Sequence, residues 1–437
     1  MLMSSEAAVK QNAKAALTPK LRFPEFRVGE GWTTETLGSV ASISTEKVGD
    51  KACVPMSITS GVGLVSQQEK FGRIIAGSSY KNYLLLKKND FAYNKSATKE
   101  YPEGFLSLYT GDELAAVPNS IFTCFRIKGD APAPQYLNYL FHGNLHGQWL
   151  RKFIQVGARA HGSLSINDSD LLALPVPLPK GQSSLAEQQK IAECLTSLDE
   201  VIAAQTQKLD ALKTHKKGLM QQLFPREGET FPRLRFPEFR AAGDWVERNL
   251  EAICKIQRGK FSHRPRNDPR FFGGKYPFIQ TGDVVKSNGG SVQASQTLNE
   301  LGLSVSKLFK PPIVLITIAA NIGDTGLLDR EACFTDSVVG LIPNKDICPY
   351  FLELAVRGKK EYLNKIAPAA AQKNINNEIL SLLPLLVPKF EEQQRIASCL
   401  SSLDGLIAAQ GDKLEALKTH KKGLMQQLFP SPEKFEA

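Results

Sequence analysis

A chain of 437 residues is longer than one ordinary hydrophobic core serves, so its length points to two or three domains. Its apolar content of 42% is that of a water-soluble globular protein, and no run reaches the ~18 uninterrupted apolar residues that a membrane-spanning helix needs. The 54 Lys and Arg against 44 Asp and Glu leave a formal charge of +10, which favours a polyanionic partner, because neutralising phosphates releases counterions whatever the sequence.

Residues 1–18 read as an N-terminal tail. The opening stretch MLMSSEAAVKQNAKAALTPK has no sustained apolar core and no cleavage site, so it is not a signal peptide and a cytoplasmic location is expected. The seven cysteines are odd in number and form no C-x-x-C, which argues against a disulfide scaffold or a zinc ribbon. His142 and His146 in HGNLH stand one helical turn apart without a neighbouring acidic ligand and read as ordinary polar residues; no metal is expected.

From Pro19 onward one pattern is written twice. PKLRFPEFR at 19–27 returns as PRLRFPEFR at 232–240, and Trp32 falls on Trp245 at the same offset of 213. VPMSITSGV around Pro55 matches YPFIQTGDV around Pro277, and KKNDFAYN from Lys87 matches FKPPIVLI from Phe309, both at an offset of 222. VPNSIF from Val117 meets FTDSVV from Phe334 at 217, and LSINDSDLLALPVPLP from Leu164 meets KNINNEILSLLPLLVP from Lys373 at 209. A drifting offset is what loop insertions leave when two copies of one fold diverge. The pattern sets out two heads, residues 19–180 and 232–388, followed by helices at 184–225 and 390–430. Inside the heads, short apolar segments alternate with turn signals such as KKND, YTGD, SNGG and PRNDP, and PPIVLITIAANIG and ILSLLPLLVP read as buried strands. With helical patterns in PAPQYLNYLFHGNLHGQWLRKFI and CPYFLELAVRGKKEYLNKI, each head is expected to be a mixed α/β domain.

The helices carry the clearest periodicity. Ile191, Leu195, Leu198, Ile202, Gln205, Leu209, Leu212, Lys216, Leu219 and Leu223 step by alternating four and three residues, a heptad seam. Ile396, Leu400, Leu403, Ile407, Gln410, Leu414, Leu417, Lys421, Leu424 and Leu428 repeat it. Ser184 and Glu187 suggest a capping box for the first helix, and Pro225 and Pro430 close the two. Parallel pairing would set Lys216 against Lys421 in the seam, so an antiparallel coiled coil is expected, with Gln205 opposite Gln410 and a head at either end. The segment ALKTHKKGLMQQLFP closes both helices without a change, outward residues included. A recent duplication would leave such identity, but the heads have diverged; two copies of one partner needing the same surface is the functional reading. The candidate partner-binding residues are His215, Lys217, Met220 and Gln221, with His420, Lys422, Met425 and Gln426.

Catalytic motifs are absent. There is no G-x-x-x-x-G-K-[ST], no H-E-x-x-H and no G-x-S-x-G. KPPI at 310–313 lacks the Asn or Asp that an amino-methyltransferase motif of the form [ND]-P-P-[FYW] would place against its target amine. No catalytic residue is therefore assigned.

The double E-Q-Q-[KR]-I-A to K-x-G-L-M-Q-Q-L-F block, the LRFPEFR opening of each head and the YPFIQTGDV element resemble the specificity subunit of type I restriction-modification systems, over nearly the whole chain. The resemblance implies two target-recognition domains, each reading one half of a split, asymmetric DNA sequence, held apart by an antiparallel helical pair. It implies two docked methyltransferase subunits and ATP-driven restriction subunits as partners beside double-stranded DNA. No cofactor is expected in this chain; S-adenosylmethionine, ATP and Mg would belong to the partners. The specificity component of another multi-subunit restriction enzyme, a coiled-coil scaffold indifferent to DNA and a self-contained methyltransferase are the alternatives.

For DNA contact the second head offers QRGKFSHRPRNDPR, a Gly/Pro/Asn-containing loop with Arg258, Lys260, Arg264 and Arg266, suited to phosphate and guanine. Arg159 and His161 in the first head and Gln372, Lys373 and Asn374 in the second lie at equivalent places before the final strand. Asn94, Lys95 and Gln280 complete the candidates.

Overall fold

The computed structural model describes residues 17–59, 61–99, 101–154, 164–319, 321–367 and 374–431. The chain divides into two units, one of the described residues up to Thr206 with those from Asp412 on, the other Gln207–Gly411. Two long helices, Ser184–Leu223 and Phe390–Leu428, contribute to both. Each unit thus holds one head, the first turns of the helix that leaves it and the last turns of the other.

The first head is built on β1 (Trp32–Thr36), β2 (Ala41–Ser44), β3 (Val54–Thr59), β4 (Gly63–Ser66), β5 (Leu84–Leu86), β6 (Phe91–Asn94), β7 (Phe105–Leu108), β8 (Ala115–Val117), β9 (Phe122–Ile127) and β10 (Pro175–Pro179). They form a β1-β10 ribbon and two sheets, ordered β2-β9-β6-β7 and β4-β3-β8-β5. The second head follows with β11 (Val246–Asn249), β12 (Cys254–Arg258), β13 (Phe272–Ile279), β14 (Gln296–Leu298), β15 (Leu308–Phe309), β16 (Ile313–Thr317), β17 (Thr325–Leu328), β18 (Ala332–Phe334), β19 (Val338–Pro343) and β20 (Pro384–Val387). Its sheets are β11-β20, β12-β19-β16-β17 and β14-β13-β18-β15, the same orders strand for strand. In both, one pair is parallel, β3 with β8 and β13 with β18, while the other ladders are antiparallel. The repeat legible as drifting offsets is a repeat of topology.

Local chemistry explains the elements. Every side chain of β6 and of β16 is buried, so FAYN and IVLIT are apolar runs covered on both faces rather than alternating strands. The KKND turn before β6 puts Asn89 at φ 72°, and SNGG puts Asn288 at 46° and Gly289 at 87°, left-handed positions that Asn and Gly tolerate. Helices Pro134–His142 and Pro349–Gly358 lay their apolar faces on the cores, as their patterns require.

One joint is made twice. In the first unit buried Glu187 accepts from Arg22 Nε and Nη2, both at 2.7 Å, and from Trp32 Nε1 at 3.3 Å. In the second, Glu392 accepts from Arg235 Nε at 2.8 Å, its Nη2 at 2.7 Å and Trp245 Nε1 at 3.4 Å. The next residue, Gln188 or Gln393, accepts from the N–H of Ala133 or Cys348, each just before a head helix, at 2.9 Å. The expected capping box is therefore corrected. Ser184 is the first helical residue and its hydroxyl donates to Pro179 O at 2.6 Å, while Glu187 serves the arginine instead.

The helix ends plug into these joints. Leu428 and Phe429 enter the first core, with Phe429 5.4 Å from the Tyr136 ring, and Phe224 lies 5.4 Å from Phe351 in the second. Gln427 O accepts from Leu21 N, and Gln222 O from Leu234 N, both at 2.9 Å. Every seam residue is buried or half-buried. The seam lysines each find an aspartate of the other helix: Lys421 meets Asp199 within the first unit and Lys216 meets Asp404 within the second.

Candidate nucleic-acid interface

The second head gathers most of its predicted contact residues around one turn, Thr335–Ser337, between β18 and β19. Gly259 N donates to Val338 O at 2.9 Å and Lys260 N to Phe334 O at 3.0 Å, laying the start of the basic loop on the turn. A Cβ at Gly259 would collide with the carbonyl oxygens of Phe334 and Thr335, so only glycine allows this approach. On another side Thr335 N donates to Ile279 O at 3.2 Å, which brings the end of β13 and Gln280 to the turn. Ile318 N donates to Ser337 O at 3.1 Å and Ile375 N to Ile318 O at 2.9 Å, so the exposed Asn374, bridged to Ala319, belongs to the same neighbourhood.

Three of the four basic residues named from the loop converge on Asp336. Arg264 Nη2 and Arg266 Nη2 donate to its Oδ2 at 3.2 and 2.6 Å, and Arg258 Nε donates to its carbonyl. Lys260 is exposed beside them. Arg270 turns instead to Asp268, whose carboxyl it holds well below the usual carboxylate range by direct hydrogen bonds. Gln280 is half-buried and its amide donates to Gln296 Oε1 at 2.5 Å. The cluster is a cationic surface of fixed geometry, capable of phosphate and guanine-edge contacts.

The first head differs. Asn94 is buried, and its Oδ1 accepts from Ser96 N at 2.9 Å, so it shapes the turn that follows β6. An Asn closing an apolar strand satisfies its own backbone first. Lys95 donates its N–H to Ile121 O at 2.8 Å and accepts from Leu164 N at 2.7 Å, leaving a half-buried side chain. Arg159, His161, Gln372 and Lys373 lie outside the described residues. At the position matching Asp336 by the offset of 217, the first head carries exposed Asn119.

On the long helices His215, Lys217 and Gln221 are exposed, as are His420, Lys422 and Gln426. Met220 and Met425 are half-buried against the cores of their units, and Arg357 Nη2 lies 3.9 Å from Met220 Sδ. The seam phase explains it, since these positions follow a seam leucine and flank the head as well as the facing helix.

Comparison with known proteins bears on the same elements. The family profile of the type I restriction modification DNA specificity domain matches residues 242–419. A Methanocaldococcus jannaschii protein provisionally named the type I restriction enzyme MjaX specificity subunit is 27% identical over 330 residues, covering 75% of this chain and 74% of that one. In sequence the chain is similar to type I specificity subunits. Another relative in the same organism, the type I restriction enzyme MjaVIII specificity subunit, is 24% identical and covers 59% of this chain and 61% of its own length. The type I restriction-modification S subunit from M. genitalium superposes with a TM-score of 0.58 at 15% identity, spanning 95% of this chain and 100% of that one, which is a likeness of fold.

The Glu and first Gln of the E-Q-Q block form the joint between head and helix, while the second Gln, Gln189 or Gln394, is exposed. Asp336, Asp199 and Asp404 were missed from sequence. Asp199 and Asp404 each follow a seam leucine by one residue, a common placement, and Asp336 lies 70 or more residues from its arginines, so nothing local points to it. Among the described residues no helix is long and apolar enough to cross a membrane.

Proposed function

We propose that this chain is the DNA-specificity subunit of a type I restriction-modification complex, with each head reading one half of a bipartite, asymmetric target. The observation that carries the proposal is that one topology and one joint recur in both units while the turn surfaces differ, Asp336 with its arginines against Asn119. A common frame with unlike contact residues is what two readers of unlike half-sites need.

In this proposal the long helices pair antiparallel and set the separation of the heads, since half-sites must present their grooves at a fixed spacing. The contacts of Lys421 with Asp199 and of Lys216 with Asp404 support that pairing, each tying late turns of one helix to the middle of the other. The exposed residues of the identical segments, His215, Lys217 and Gln221 with His420, Lys422 and Gln426, would each receive one methyltransferase subunit. Adenine methylation from S-adenosylmethionine, and ATP- and Mg-dependent restriction, belong to those partners, and this chain supplies no catalytic group. The complex works on DNA in the cytoplasm.

Single-molecule sequencing of modified adenines, with and without the gene, tests this. The expected result is one motif of two dissimilar half-sites around a fixed gap that disappears with the gene. A continuous motif, or no change, refutes the proposal.

A further inference from the structure

The arginine cluster of the second head is organised by a single carboxylate. Asp336 Oδ2 takes Arg264 and Arg266, its carbonyl takes Arg258, and its Oδ1 is buried and accepts no hydrogen bond among the described residues. Arg264 is fixed further by donating Nη1 to the carbonyls of Phe261 at 2.7 Å and His263 at 2.8 Å. Even so the side chains of Arg264 and Arg266 stay 52% and 46% exposed, so part of each five-donor fork faces solvent. Gly259 permits the whole loop to sit on the turn that carries Asp336.

An isolated surface ion pair contributes little to stability and costs side-chain freedom. A shared carboxylate beneath two arginines does something else: it sets their rotamers before a ligand arrives, and preorganised donors lose less entropy on binding. We propose that Asp336 is a positioning residue for half-site discrimination, aiming the outward N–H groups of Arg264 and Arg266 at fixed acceptors on duplex DNA. This rests on the DNA-reading function proposed above. The first head, with Asn119 at the matching turn, lacks the device.

Charge and positioning predict opposite results, which makes the idea testable. Removing the carboxylate makes the patch more positive, so arginines acting as loose counterions would bind any DNA at least as well and discriminate as before. Arginines that need Asp336 for their aim would lose discrimination although the charge has risen. The experiment uses the full chain with its modification subunits, the wild type compared with Asp336→Asn, Asp336→Ala and Asp336→Glu. Binding is followed by fluorescence anisotropy on duplexes carrying the mapped target, or the target with one or other half-site scrambled, at several salt concentrations. We expect Asp336→Ala and Asp336→Asn to lose roughly tenfold or more of the discrimination at one half-site, the loss of one good arginine–guanine contact. Discrimination at the other half-site and affinity for random DNA should not fall, and Asp336→Glu should recover part of the loss. Unchanged discrimination at both half-sites overturns the proposal, and so does an equal loss at both, the mark of a folding defect. A wild-type complex that discriminates at neither half-site refutes the DNA-reading function itself.

Discussion

Lys421 Nζ on the second long helix lies 2.5 Å from Asp199 Oδ1 on the first, inside a seam made mostly of leucine and isoleucine. Tyr139 of the first head donates its hydroxyl to the other oxygen of that carboxylate at 2.8 Å, and the Lys421 ammonium sits 5.2 Å from the Tyr139 ring centre. Lys216, Asp404 and Tyr350 make the same triangle in the second unit. A cation in a leucine seam is costly unless paired, so each triad selects one register of helix against helix and of helix against head.

The first prediction concerns that pair. Because Asp199 is 41% exposed, solvent screens it, and Lys421→Ala or Asp199→Ala should each lower stability by only about 1–2 kcal/mol. A double-mutant cycle by denaturant unfolding should show coupling of roughly 0.5–1 kcal/mol, and strict additivity would contradict the pairing.

The buried joint should be less forgiving. Arg22 and Glu187 are 8% and 1% exposed, so Arg22→Ala leaves a carboxylate without its cation and should cost about 3–5 kcal/mol. Replacing both with apolar residues of similar volume should cost less than the single change. Thermal unfolding of the three variants checks the order.

Stability should depend on pH through Glu353. This carboxyl is fully buried, accepts from Thr325 Oγ1 at 2.6 Å and has Arg357 Nε 3.2 Å away, and burial raises its pKa from 4.5 to about 7. The folded state therefore holds the proton more tightly than the unfolded chain. The contribution is fully present below about pH 4.5 and is lost as pH rises through about 7. Glu353→Gln should flatten the fall in stability between pH 5 and pH 8, an effect of about 3 kcal/mol at most. An unchanged slope in paired melts would show that Glu353 is ionised throughout.

These contacts show which parts of the molecule sequence could disclose. The seam was legible because ten positions obey one period, and the strands because apolar runs such as IVLIT end in Gly, Pro and Asn turns. The duplicated topology was legible because both copies kept the order of their blocks. The joint was not, since Glu187 finds Arg22 at a separation of 165 residues and nothing local distinguishes that arginine. For the same reason Ser184 and Glu187 resembled a helix cap. The identity of the closing segments has two sources that sequence ran together. Lys216, Leu219, Met220, Leu223 and Phe224 meet the second unit's joint as Lys421, Leu424, Met425, Leu428 and Phe429 meet the first, which leaves only the exposed residues for a partner.

Those exposed residues yield a prediction of stoichiometry. Native mass spectrometry of the complex should find two modification subunits per chain. Lys217→Glu with Gln221→Glu should remove one, and Lys422→Glu with Gln426→Glu the other. A wild-type complex with a single modification subunit would contradict the equivalence of the two surfaces.

The most direct test of the central claim lengthens both long helices by one heptad in their middles, which preserves the seam and adds about 10 Å. Methylated sites of the host carrying this variant are then mapped. The account predicts the same two half-sites separated by a longer gap. Altered half-site bases across an unchanged gap would contradict it.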